Sequence, residues 1–135
     1  WLTCKRDMTA LRPHWARFAF ARVRETRLLH EPSQVTVDLL FAGAPIPRRP
    51  ERCYPHPDKA GRSARDPRFV DLPTLIELKL YAGRHQDQAD VVALLKRMDE
   101  GGYLSVEAAL PARLRAALFT LRQDALEELS WESDD

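Results

Sequence analysis

Cysteine, glycine and aromatic residues are scarce in this chain: two cysteines, five glycines and an aromatic fraction of 8% in 135 residues. Cys4 and Cys53 form no C-x-x-C pair, which argues against a zinc site and gives no ground for a disulfide. No apolar run reaches membrane-spanning length and no signal-peptide pattern is present. The expected setting is therefore a reducing cytoplasm without membrane contact. Net charge is only +1, which excludes a global basic field of the kind that draws nucleic acid. Neither a repeat nor a second domain is evident, and residues 1–135 read as one domain.

What is present is the balance of a soluble globular protein, 44% hydrophobic and 30% charged, in a chain long enough to bury a core. Charge is unevenly placed. Residues 12–27 carry five arginines against one glutamate, whereas the tail W-E-S-D-D is acidic. An ordinary solvated surface explains this as well as a basic face does.

The strongest strand is Q-V-T-V-D-L-L-F-A, in which Val35, Val37, Leu39 and Phe41 alternate on one face. Residues 22–30 are strand-compatible, and a hairpin around Pro32–Ser33 joins the two. Leu11, Trp15 and Phe18 suggest a short helix from about Arg12, with Pro13 in its first turn. Residues 43–67 hold six of the ten prolines and read as an irregular connection with an edge strand near Arg52–Tyr54. A short strand at Arg68–Val70 follows.

Thereafter the periodicity is helical. Asp71 and Pro73 open a helix that carries Leu72, Leu75, Ile76 and Leu80 and ends at Gly83. A second helix starts near Asp87 and stops at Gly101–Gly102. A third runs from about Pro111 to Leu129, with Leu114, Leu118, Leu121, Ala125 and Leu129 as its core stripe. The expected class is α+β, a small mixed sheet built on the hairpin of residues 22–42 with the C-terminal helices packed on it.

Asp38 is the first candidate for chemistry, because a charge in an apolar strand is costly unless open to water or paired. It suits a magnesium ion held against substrate phosphates, or an edge strand with one wet face. Lys79 offers a point charge for a phosphate, or a surface lysine. Asp87 and Asp90 suit the start of a helix, where acidic groups complement its dipole. Arg84 and His85 either reach a phosphate or close the turn.

The run V-D-L-L-F-A-G, a proline-rich spacer, F-V-D-L-P-T-L-I-E-L-K-L-Y-A-G-R and then D-Q-A-D-V-V-A-L-L resembles the C-terminal two-thirds of nucleotidyltransferase-fold proteins. These belong to the polymerase β-like superfamily, in its small bacterial abortive-infection and toxin–antitoxin group. The resemblance covers roughly residues 34–97. It implies a nucleotidyltransferase-like fold, magnesium, and a nucleoside triphosphate as substrate. Asp38 matches the third metal-binding carboxylate. Lys79 matches the family's helix lysine, expected near the nucleotide phosphates, Arg84 closes the quoted L-P-x-L-I-x-L-K-L-x-x-G-R element, and Asp87 and Asp90 match the helix start D-x-x-D. The family's Gly-Gly or Gly-Ser turn and Asp-x-Asp do not occur before Asp38. The chain, which opens on Trp1, is thus expected to be catalytically incomplete as given, either as a piece lacking that N-terminal portion or as a degenerate relative that does not catalyse.

Two other readings compete. Asp38 with Glu77-x-Lys79 fits the D…E-x-K pattern of PD-(D/E)xK nucleases, provided that residues 74–82 form a strand. A non-catalytic binding or regulatory domain, with an antitoxin or toxin as partner protein and RNA as a weaker option, needs no active site.

Overall fold

The alternation from Val35 to Phe41 organises the first half of the molecule. In the computed structural model, which describes residues 2–133, this run is extended and changes partner midway. β4 (Val35–Asp38) pairs antiparallel with β3 (Arg27–His30), which pairs antiparallel with β2 (Phe20–Arg24). β5 (Leu40–Phe41) instead pairs parallel with β1 (Leu2–Thr3). Leu39, between β4 and β5, is buried with Leu28 and Met8, and Trp15, Phe20, Val37 and Phe41 pack around them. The inward face is the one the alternation indicates.

Two expectations shift here. Residues 22–30 are a hairpin rather than one strand, because the polar pair Glu25–Thr26 turns the chain between β2 and β3. The hairpin at Pro32–Ser33 is present as the β3–β4 connection, with Gln34 at φ 55. The N-terminal helix, α1, spans Lys5–Leu11 and so begins well before Arg12. Pro13 lies instead in a 3-10 turn at Arg12–His14. Its ring and missing N–H end an α-helix while leaving the tighter turn accessible.

β6 (Pro45–Ile46) and β7 (Arg49–Cys53) pair with each other, which places the expected edge strand slightly early. The expected strand at Arg68–Val70 reduces to a single bridge between Arg62 and Val70.

Four further helices follow: α2 (Leu72–Ala82), α3 (His85–Lys96), α4 (Glu100–Ala109) and α5 (Ala112–Ser133). α4 is the element that the glycine pair conceals. Asp99 accepts from the Gly102 amide at 2.7 Å and caps α4, so Gly101 and Gly102 open a helix instead of closing one. The apolar stripes meet one another. Ile76, Val91, Leu95, Tyr103, Val106, Leu118 and Ala125 form one cluster. Full burial of side chains such as Ile76, Leu95 and Leu118 stabilises by about 1.5–3 kcal/mol each. This core is helix against helix, where the pattern alone suggests helix against sheet.

The class is α+β. The chain divides into two compact units, one comprising the residues to Ile46 with Pro50–Ala60, the other Pro47–Arg49 with the residues from Gly61 onward. Trp1 and the tail's Asp134 and Asp135 lie outside the described residues. No helix among the described residues is long and apolar enough to cross a membrane.

Candidate functional site

Local capping chemistry builds the α2–α3 junction. Asp71 accepts from the Thr74 amide at 2.9 Å, and Pro73 sits in the first turn of α2. Gly83 ends the helix at φ 59, in the left-handed region that glycine enters without strain. Arg84 is extended, and α3 begins at once with His85. This short link sets the last turn of α2 beside the first turns of α3.

Four of the singled-out residues therefore meet. Lys79 Nζ donates to Asp90 Oδ2 at 2.6 Å and lies 3.6 Å from Asp87 Oδ1. Arg84 Nε and Nη2 donate to the two oxygens of Asp87 at 2.6 and 3.1 Å. Gln86 Nε2 donates to Asp90 Oδ1 at 2.8 Å. The Asp87 side chain is only 5% exposed, that of Lys79 21% and that of Arg84 62%. Arg48 adds a second guanidinium nearby, donating to the Gly83 carbonyl at 2.8 Å.

Electrostatics follow from these contacts. Hydrogen bonds from Arg84 hold the Asp87 carboxyl below its usual range despite its burial, with the charges of Arg84 and Lys79 assisting. Asp90 is lowered chiefly by its bond from Lys79 and then by Gln86. Two cations and two carboxylates thus neutralise one another, and the more exposed cation is the arginine.

Asp38 belongs to the other unit. Its oxygens accept from Arg27 Nε and Nη2 at 2.6 and 3.2 Å, across the β3–β4 ladder. Both side chains are about half exposed, so the pair contributes little to stability. No group of three or more His, Cys, Asp or Glu residues that could hold a metal occurs among the described residues. Within the three-stranded sheet Asp38 is the sole carboxylate, which does not furnish a two-metal clamp.

The nuclease reading fails on geometry. Residues 72–82 are helical, so Glu77 and Lys79, two apart, point to different sides of α2. The E-x-K pattern requires a strand there.

Two arrangements carry no signal in the sequence. Cys4 Sγ lies 3.1 Å from His56 Nε2, and His56 Nδ1 lies 3.3 Å from Asp58 Oδ2. The Asp58 amide also donates to Nδ1 at 3.2 Å. In a neutral ring that bond leaves Nε2–H facing the sulfur, a donor rather than a base. Burial and the neighbouring Asp7 and Asp58 carboxylates push the Cys4 thiol up. A polar tie results, not a primed nucleophile. In the helical unit, buried Arg122 donates to the Leu95 and Met98 carbonyls at 2.8 and 3.3 Å and stacks over Tyr103. It thereby caps α3 from α5. Residues 52 positions apart for the first pair, and on separate helices for the second, leave no spacing motif to find.

No family model, no curated protein and no solved structure matches the chain.

Proposed function

We propose that this chain is a nucleotidyltransferase-like protein of the polymerase β-like superfamily that engages the phosphates of a nucleoside triphosphate without transferring its nucleotidyl group. One observation carries the reading: Lys79, Arg84, Asp87 and Asp90, which the resemblance singles out, sit on one another at the α2–α3 junction. The α+β class and the two pairing senses of the run through Asp38 are compatible with it.

The roles divide by exposure. Lys79 is held by two carboxylates and mostly covered, so an incoming phosphate competes with Asp90 for it. Arg84 is oriented by Asp87 yet largely open to solvent, and a planar guanidinium suits bidentate phosphate contact. Magnesium would arrive with the triphosphate, as an ion that commonly takes one or two carboxylates plus phosphates.

Calorimetric titration with each magnesium nucleoside triphosphate tests this on the wild type and on Arg84→Ala. Saturable heat is expected, weakened about tenfold by Arg84→Ala. Labelled nucleotide is not incorporated into any acceptor. Absence of heat for every nucleotide at millimolar concentration contradicts the reading. It would favour the second reading, a non-catalytic binding or regulatory domain with a toxin or antitoxin as partner protein.

A further inference from the structure

The first unit contains a cleft that the reading above does not use. One face of α1 and its C-terminal turn supplies Lys5, Met8, Thr9 and Arg12, at the spacing of neighbouring helical turns. Leu39 and Phe41, from the run through β4 and β5, and Trp15 also line it. Arg22 and Glu25, from β2 and its turn, complete the rim. The cavity volume is about 180 Å³.

Its walls and rim differ in chemistry. Met8 and Leu39 belong to the buried cluster, and Trp15 and Phe41 pack on that cluster, so the cleft opens onto the edge of a core. The rim is polar and unbalanced. Lys5, Arg12 and Arg22 face a single carboxylate, Glu25. None of these four makes an ion pair among the described residues. Arg22 Nε donates to the Arg24 carbonyl at 3.3 Å. Three like charges around one small cleft of mixed polar and apolar lining repel one another, and an anion seated there would relieve them.

We propose that this cleft binds a phosphate monoester carried on one flat ring, an aryl phosphate. The volume has room for one ring, since a cavity of about 150 Å³ accommodates benzene. The aromatic and thioether walls favour a π face over an aliphatic chain. Charge sets the head group, since the rim holds two positive charges beyond what Glu25 offsets, and a phosphate monoester is a dianion. Two guanidiniums match its planar pairs of oxygens. The ring enters between Trp15 and Phe41 while the phosphate stays at the mouth with Lys5, Arg12 and Arg22. The aryl phosphate can come from a free small molecule or from a phosphorylated tyrosine side chain.

Phenyl phosphate is the probe, and quenching of tryptophan fluorescence is the readout. The chain has three tryptophans, of which Trp15 lines the cleft, so Trp15→Phe must remove the signal. Saturable quenching is expected, with inorganic phosphate and phenol each binding at least about tenfold more weakly. Lys5→Ala and Arg12→Ala, both at exposed positions, weaken phenyl phosphate by about three- to tenfold with unchanged circular dichroism. Glu25→Gln strengthens it, an opposite sign that a merely structural role would not produce. A phosphotyrosine peptide that binds as tightly as phenyl phosphate assigns the side-chain source; weaker peptide binding assigns the free molecule. Phenyl phosphate that binds no better than inorganic phosphate, or that ignores both cation variants, overturns the proposal.

Discussion

Lys79 Nζ lies 2.6 Å from Asp90 Oδ2 and 3.6 Å from Asp87 Oδ1, so one ammonium at the end of α2 ties down two successive turns of α3. The tie orients Arg84 through their shared carboxylate, Asp87. It also makes the junction sensitive to acid.

Both carboxyl groups titrate below their unfolded values. They therefore stabilise the fold at pH above the ordinary carboxylate value of about 4, and that contribution is lost as pH falls through the depressed values. Asp87→Asn should lower stability at pH 7 by about 1–3 kcal/mol and flatten the loss between about pH 4 and 2. Denaturant unfolding of both proteins across pH, followed by helical circular dichroism, checks this.

Gly61 is fixed by a neighbour and not by its own φ. A Cβ there would stand 2.1 Å from Asp71 Oδ2, the oxygen pair that caps α2. Gly61→Ala should destabilise by about 1–3 kcal/mol. Gly101→Ala is the control, since the nearest atom to its Cβ position is 3.8 Å away. It should leave stability unchanged or raise it by up to about 1 kcal/mol. The thermal melt of Gly61→Ala should fall while that of Gly101→Ala stays or rises.

Tyr103 is 6% exposed, and its hydroxyl has no hydrogen-bond partner among the described residues. Burial accordingly pushes its pKa up. Tyr103→Phe should be neutral or stabilising by up to about 1 kcal/mol, whereas Arg122→Met should cost about 1.5–3 kcal/mol by leaving the α3 carbonyls unmet. Urea midpoints of the two variants separate these outcomes.

Thiol chemistry tests the polar tie at Cys4. Cys53 is exposed, whereas Cys4 is half-buried with a raised pKa. At pH 8, Cys53 should be alkylated first and Cys4 about tenfold more slowly. His56→Ala should not slow Cys4 further. A fast Cys4 that depends on His56 would make the pair a catalytic dyad, which the hydrogen-bond geometry opposes.

The legible parts of this fold are those where local chemistry and tertiary packing agree. The Asp71–Pro73–Gly83 frame of α2 and the alternation ending at Phe41 are of this kind, because cap, turn and apolar period each point the same way. The Asp99 cap misleads: glycines usually end helices, and only the bond from Gly102 to Asp99 shows that they begin one. Glu25–Thr26 is a turn without glycine or proline, so nothing local announces it.

Within the candidate site, proximity along the chain decides what can be read. Residues 79–90 straddle one tight turn, and their meeting follows from helix geometry once the turn is placed. Asp38 pairs with Arg27 because of strand register, which side-chain alternation alone does not set. The aromatic and basic walls of the cleft come from segments that only the β1–β5 and α1 packing joins. For that reason the sequence shows no aromatic–basic platform.

The most direct test of phosphate engagement at the α2–α3 junction is a titration of the ¹⁵N-labelled protein with magnesium–ATP, followed by amide NMR. Saturable shifts should concentrate at Gly83, Arg84, Asp87 and Asp90 and should need about tenfold more nucleotide in Arg84→Ala. Shifts confined to other parts of the chain, or none at millimolar nucleotide, would contradict the proposed function.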